Sequence, residues 1–415
     1  MRPAWIAALC CALLSPALFP AAIPQSEYRQ RRAKLRADLN GTLVLFGAAE
    51  PPDNAGRFEQ EHNFLYLTGW QEPGARLILT HDRELLFVPH HNERLERFTG
   101  KRVSSEDAGA KESTGFDTVL PLEKFETELL AALATGPQVF APTASPEMDR
   151  LKPLLSLREP RDAAPLVAKL RVVKSPAEIA ALEHAAEVSM EAQRAAWKRM
   201  TPGAYEYQAQ AAFTEVMLDR GCEDYAYPPI VGSGPEATVL HYDANRRRMD
   251  KGELVVIDAA ASCDGYASDI TRTIPVGGKF SRRERQIYEV VLGAQKAAIA
   301  AVKPGASFYE GPASVTQIAK DYINTHGKDA HGEPLGKYFT HGLGHSVGLD
   351  VHDPGPLVPK LEEGMVITIE PGVYIPEESI GVRIEDVVLV TKDGSKVLTG
   401  ALPKEPNEVE KALTR

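Results

Sequence analysis

Leu254-Val255-Val256-Ile257-Asp258, a short polar turn, and then Tyr266-Ala267-Ser268-Asp269-Ile270-Thr271-Arg272-Thr273 constrain this chain more than any other stretch. The first run is apolar, β-branched and preceded by Gly252, the pattern of a buried strand. The second alternates, with Ala267, Asp269, Thr271 and Thr273 on one face and Ser268, Ile270 and Arg272 on the other. A turn centred on Cys263-Asp264 puts Asp258 opposite Asp269. A turn at Asp264-Gly265 makes the two diagonal neighbours on one face. Two carboxylates at that distance repel, so the pattern calls for a cation between them, and a divalent one suits it best.

Two more acids arrive the same way. Met365-Val366-Ile367-Thr368-Ile369-Glu370 reads as a strand stopped by Pro371-Gly372, so Glu370 projects where the ladder ends. Gly381 to Val390 reads as a second strand with Glu385 among apolar neighbours. Between the two acid pairs lies His341-Gly342-Leu343-Gly344-His345, followed by His352. The His341/His345 spacing is that of a zinc-protease helix, but no Glu follows the first His and two glycines interrupt the motif. Four strand-borne carboxylates and a histidine instead suit two oxygen-loving divalent ions that share carboxylates.

The helical punctuation suggests an internal repeat. Ser175-Pro176-Ala177-Glu178 is a capping box opening a helix that stops at Thr201-Pro202-Gly203, and a second helix ends at Gly221. Ser281-Arg282-Arg283-Glu284 is another capping box, and Ser307-Phe308-Tyr309-Glu310 is expected to open the helix after it. Two helices, a glycine loop with a His (His241 in the first copy), and two acid-bearing strands thus occur twice, predicting pseudo-symmetric halves around one site.

Ahead of this, about Ser26 to Pro165 reads as a separate α/β domain. Strands are expected at 42–46, 64–67, 77–79 and 85–88, and an amphipathic helix at 125–133. His90-His91 lacks nearby strand-borne carboxylates and reads as surface histidines rather than a metal site. At the amino terminus, Met1-Arg2, an apolar run from Ala4 to Leu14 and small residues to Ala22 have the layout of a secretory signal peptide, too short to span a bilayer. The expected divisions are residues 1–22 as leader, 26–165 as first domain and 166–415 as second, in an exported (periplasmic or secreted) protein. Cys10 and Cys11 fall in the leader; Cys222 and Cys263 remain, and two unpaired thiols are the preferred reading over a disulfide. A formal net charge of −10 over 415 residues gives no support to nucleic-acid binding.

Ile257-Asp258, Asp269-Ile270-Thr271-Arg272-Thr273, the His341–His352 segment, Thr368-Ile369-Glu370-Pro371-Gly372 and Arg383-Ile384-Glu385-Asp386 together resemble the pita-bread metallopeptidases, which include methionine aminopeptidase, prolidase and aminopeptidase P. Asn63-Phe64-Leu65-Tyr66-Leu67-Thr68-Gly69 resembles the amino-terminal domain of aminopeptidase P, although Phe58-Glu59-Gln60-Glu61-His62 is less basic than expected there. The resemblance implies an α/β first domain and an α+β pita-bread second domain with a pseudo-twofold repeat. It implies Asp258, Asp269, His345, Glu370 and Glu385 as ligands of two divalent ions, usually manganese, with Asp269 and Glu385 bridging. It further implies Glu370 as proton shuttle, and His241, His341 and His352 as residues that stabilise the tetrahedral intermediate and line a proline pocket. Arg383 would neutralise excess acid charge, with Tyr227 as its partner. The implied activity is Xaa-Pro aminopeptidase on peptides with proline second, in a homo-oligomer (dimer or tetramer), with no membrane span in the mature form and no nucleic-acid partner. Prolidase, limited to dipeptides, is the alternative. A non-catalytic pita-bread binding module would be expected to lose ligands, and all five are present.

Overall fold

The computed structural model describes residues 23–51, 57–136, 138–155, 158–355 and 360–414, and the expected leader lies outside them. Thr42–Phe46 is wholly buried because it runs through the middle of a six-stranded mixed sheet. It pairs antiparallel with Arg76–Leu79 and parallel with Val139–Ala141. Its side chains divide by alternation. Val44 and Phe46 pack with Phe87, Phe125 and Leu129 on one face. Leu43 and Leu45 face the other way, into a core that also takes Leu182, Tyr266, Val347 and Val366 from the second domain. The two domains therefore share one apolar core, whose burial at about 25 cal/mol per Å² fixes one against the other.

The expected strand at 64–67 is a helix, His62–Thr68. A short apolar run cannot by itself distinguish the two, and here the ends decide. The Glu61 carboxylate accepts from the N–H groups of Asn63 and Phe64, and Gly69 closes the helix in the left-handed region. The strands at 42–46, 76–79 and 84–88 and the helix Phe125–Thr135 form as expected.

In the second domain both predicted capping boxes form, opening Pro176–Trp197 and Arg282–Ala301. Each helix packs against a successor, Glu206–Asp219 and Val315–His326. The fourth helix does not begin at Ser307. Residues 307–311 form no helical turn, Gly311 at φ 94° and Pro312 break the chain, and Ser314 supplies the cap instead.

Each helix pair backs one long hairpin, and both hairpins are interrupted. In the first, Leu254–Asp258 pairs with Thr271–Pro275 and Ala261–Cys263 with Tyr266–Ala267 in one continuous register, Asp258 against Thr271 and Ser262 against Ala267. Asp264 (φ 54°) and Gly265 (φ 78°) make the turn, which selects the diagonal arrangement of Asp258 and Asp269. In the second, Val366–Ile369 pairs with Asp386–Thr391 and Gly372–Ile375 with Ile380–Arg383, again in one register that sets Glu370 against Glu385. The single strands expected over 266–273 and 381–390 are thus each broken at the acid.

Asp224–Tyr225 pairs along Ala261–Cys263 and brings Cys222 to Cys263, with Cα atoms 4.3 Å apart and a disulfide between them. This corrects the reading of two free thiols; the pairing is non-local and could not be read from spacing. Among the described residues no helix is long and apolar enough to cross a membrane.

The disulfide closes a loop with a sequence separation of 41, which by chain entropy stabilises the fold by about 4 kcal/mol. A Cys222→Ser/Cys263→Ser protein should melt roughly 10 °C lower than the oxidised protein. Dithiothreitol should lower the melting temperature of wild type and leave the variant unchanged; equal melting of the two oxidised proteins would contradict this.

Candidate metal centre

The two hairpin interruptions face each other. The Glu385 N–H donates to the Thr271 carbonyl at 3.0 Å, and the Thr271 hydroxyl donates to Glu385 Oε2 at 2.7 Å, so the second hairpin is tied to the first at the acid itself. The histidine loop lies along Val366–Ile369. Val347 N–H donates to the Val366 carbonyl, Thr368 N–H to His345, and Glu370 N–H to Leu343. Gly344 is required there, since a Cβ would sit 2.1 Å from the Thr368 carbonyl oxygen.

Asp269, His345 and Glu385 offer ligand atoms that all lie within 4.8 Å of one another. His345 Nε2 is 3.3 Å from Asp269 Oδ2 and 3.5 Å from Glu370 Oε1. Its Nδ1 donates to the Ser346 carbonyl, so the Nε2 lone pair faces carboxylates. That arrangement is repulsive unless a cation or a proton lies between. Glu385 is 1% exposed, and its Oε1 has no hydrogen-bond partner. An orphaned carboxylate oxygen, a lone pair aimed at acids, and hard oxygen donors with one imidazole fit divalent cations.

Asp258 lines the same cavity from the opposite strand. Tyr227 donates to its Oδ1 at 2.5 Å and Arg383 Nη2 to its Oδ2 at 2.7 Å. Arg383 and Tyr227 therefore meet through Asp258 rather than as a direct pair. Each carboxylate oxygen keeps a further lone pair for a metal. The remaining expected residues are brought together as well. His241, His341 and His352 line a cavity of about 520 Å³ with Tyr227, Ile230, Leu240 and Val351. His341 donates from Nδ1 to the Gly342 carbonyl, and its Nε2 is 2.9 Å from the Tyr374 hydroxyl, which accepts from Arg383 at 2.8 Å. Tyr374 was not predicted. Only its place two residues after Gly372, across from Gly381, marks it in retrospect.

The first domain reaches this site through the loop that carries His352, where His62 Nδ1 lies 2.5 Å from Asp350. From just past the domain boundary, Arg171 donates to Asn63 of the first domain at 2.9 Å and to both Asp350 and Asp353 at 2.5 Å, and Lys174 donates to Asp353 at 3.1 Å. Asp353 is buried with Arg171 and Lys174, and breaking a buried pair of that kind costs about 3–5 kcal/mol. His90 and His91 are elsewhere, and tertiary folding does bring carboxylates to them. His90 faces Glu106 and Glu123, and His91 faces Glu96 and Asp107.

Burial, with Asp269 and other carboxylates near it, raises Glu385 and Asp258 above the usual carboxylate range, Asp258 against the opposing pull of Arg383. Burial and Asp269 push Glu370 up to about 7 against His345. Burial disfavours the His345 charge, but Asp269 and Glu370 outweigh it and lift the imidazole to about 9. Burial and then Arg383 push His341 down to about 4, so it is neutral at working pH. Without metal the native state therefore binds more protons than the unfolded chain, at Glu370 between 4.5 and about 7 and at His345 between 6.5 and about 9. Both contributions to stability are full at low pH and are lost as pH rises through those windows. A metal needs both groups deprotonated, so the rise in melting temperature on adding manganese should grow from pH 5.5 to pH 8.5. Melting in chelator and in metal across that range checks it; a gain that is flat or shrinks with pH would contradict the assignment of Glu370 and His345.

Residues 180–392 match the metallopeptidase family M24 and residues 28–140 the aminopeptidase P N-terminal domain. A Xaa-Pro aminopeptidase of Haemophilus influenzae is 34% identical, over 95% of this chain and 99% of its own. A Xaa-Pro dipeptidase of Pyrococcus horikoshii is 36% identical, over 81% of this chain and 90% of its own. The solved structure of the aminopeptidase PepP of Pseudomonas aeruginosa superposes with a TM-score of 0.87 at 32% identity, covering 94% of this chain and 98% of that one. This chain belongs to metallopeptidase family M24, the pita-bread metallopeptidases, and carries the aminopeptidase P N-terminal domain ahead of its catalytic domain.

Proposed function

We propose that the protein is a Xaa-Pro aminopeptidase, a hydrolase that releases the amino-terminal residue from peptides with proline second. The observation that carries this is the cavity itself. Asp258, Asp269, His345, Glu370 and Glu385 line it together with the apolar groups of Pro228, Ile230, Leu240 and Val351. A prolyl residue presents a pyrrolidine ring and no N–H at the scissile bond, so apolar groups beside the acids suit it.

The five residues, Asp269 and Glu385 central among them, would hold two divalent ions; manganese is the ion proposed. When bound, the ions would supply Lewis acidity and lower the pKa of a bound water. Glu370 stands at its strand end on the open cavity, so it takes a proton from the attacking water and returns it to the proline nitrogen as the C–N bond breaks. His341 has both nitrogens engaged and acts as a positioning residue for Tyr374. His241 and His352 remain as the imidazoles that face the peptide and stabilise charge on the carbonyl oxygen. Arg383 holds Asp258 and Tyr374 in place and offsets part of the acid charge.

We further propose an exported protein that works as a dimer or tetramer. The leader-like pattern of residues 1–22 and a disulfide suited to an oxidising compartment support export. Family likeness supports the oligomer.

The match of residues 28–140 to the aminopeptidase P N-terminal domain favours this reading over prolidase. Manganese-loaded protein should cut Ala-Pro-Ala with a higher kcat/KM than Ala-Pro, and exhaustive chelation should abolish both activities. A ratio favouring the dipeptide would move the protein to the dipeptidase reading, and full activity in the metal-free protein would overturn the mechanism.

A further inference from the structure

Two glutamines occupy equivalent places in the two halves of the catalytic domain. Gln193 lies on Pro176–Trp197 and Gln295 on Arg282–Ala301, and both are fully buried. Gln193 Nε2 donates to the Ala259 carbonyl at 3.0 Å and the Ile270 carbonyl at 3.1 Å. Gln295 Nε2 donates to the Ile384 carbonyl at 3.1 Å and the Ile369 carbonyl at 3.4 Å, and to Asp386 Oδ2 at 3.0 Å. All four carbonyls are immediate chain neighbours of the acids: Ala259 follows Asp258, Ile270 follows Asp269, Ile369 precedes Glu370, and Ile384 precedes Glu385.

These are also the points at which each hairpin ladder opens. Next to the acids the cross-strand bonds, Ala259 N–H to the Ile270 carbonyl and Ile384 N–H to the Pro371 carbonyl, are both stretched to 3.4 Å, whereas Ser268 N–H to the Ala261 carbonyl keeps 3.0 Å. The side-chain amide satisfies the Ala259 carbonyl in the first half and, in the second, the Ile384 carbonyl, whose opposite residue Pro371 has no N–H to offer; the Ile270 and Ile369 carbonyls gain a second donor. Each amide is also held the right way round. Trp197 Nε1 donates to Gln193 Oε1 at 3.1 Å, and Lys404 Nζ donates to Gln295 Oε1 at 3.0 Å. Neither donor can accept, so in each case the NH₂ must face the hairpin.

We propose that Gln193 and Gln295 are positioning residues for the metal centre, one per half. They hold each hairpin open at its acids and so set the spacing between carboxylates that already share one face of the ladder. The proposal rests on reading those acids as metal ligands. A glutamine that merely filled a buried hole would affect stability alone; one that sets the spacing of the ligand strands affects metal affinity as well.

The test is manganese titration of the full chain, read by calorimetry and by melting temperature, for wild type, Gln193→Leu and Gln295→Leu. Val188→Ala, a core truncation on the same helix as Gln193, is the control. Each leucine variant should bind manganese about tenfold more weakly. Its activity should fall at limiting manganese and recover at saturating manganese with KM unchanged. Val188→Ala should melt lower and bind manganese as wild type does. Trp197→Phe and Lys404→Met, which free the amides to turn, should weaken manganese binding in the same sense and carry the test if a leucine variant does not fold. Wild-type affinity in the glutamine variants, or in both orienting variants where a leucine protein is not obtained, overturns the proposal. Absence of manganese binding by wild type overturns the metal reading beneath it.

Discussion

The catalytic domain is arranged around an electrostatic conflict. Asp258, Asp269, Glu370 and Glu385 converge from two hairpins into a place where Asp258 is 8% and Glu385 1% exposed. Burial of one carboxylate is already costly, and several together raise one another's proton affinity. Arg383 answers part of this at Asp258 and His345 another part at Asp269, but the free Oε1 of Glu385 shows that protein groups do not complete the match. Cations do, and the surrounding architecture then makes sense as the means of holding like charges in register until cations arrive. A layer below, Arg272 and Lys404 neutralise Asp386, which would otherwise add a further acid charge beside Glu385.

Pseudo-symmetry supplies this arrangement economically. Each half contributes a capped helix, a second helix packed on it, and a hairpin opened at two acids. The halves meet where Thr271 bonds Glu385, and the histidine loop is added along one edge. The first domain is fixed by a shared apolar core and then by His62 on the loop bearing His352, with Arg171 joining that loop to Asn63. Substrate-facing groups thus depend on contacts from both domains, while the acids depend on the second alone.

Much of this was legible in the chain because the signals are local. Capping boxes at Ser175 and Ser281, the Asp264-Gly265 turn and the Pro371-Gly372 stop each act within a few residues, and all did what their chemistry predicts. The acids and histidines were legible because charge on apolar strands is anomalous. What escaped depends on partners far away in sequence. The helix at 62–68 hid in an apolar run whose caps, Glu61 and Gly69, look unremarkable. The Cys222–Cys263 disulfide needed the pairing of two short strands, and Tyr374 needed Arg383 and His341 in space. Gln193 and Gln295 sit mid-helix, where glutamine is an ordinary helix former, and no spacing marks them.

The acid cluster serves metal at the expense of the metal-free fold. The most direct measurement is thermal melting of wild type and Asp269→Asn, each in chelator and in manganese. The substitution keeps the side-chain shape, removes one charge and deletes a ligand. Asp269→Asn should melt in chelator at or above the temperature of wild type and should lose the gain that manganese gives wild type. An Asp269→Asn protein that melts well below wild type in chelator would show Asp269 to be held by the protein's own hydrogen bonds, and would contradict the account.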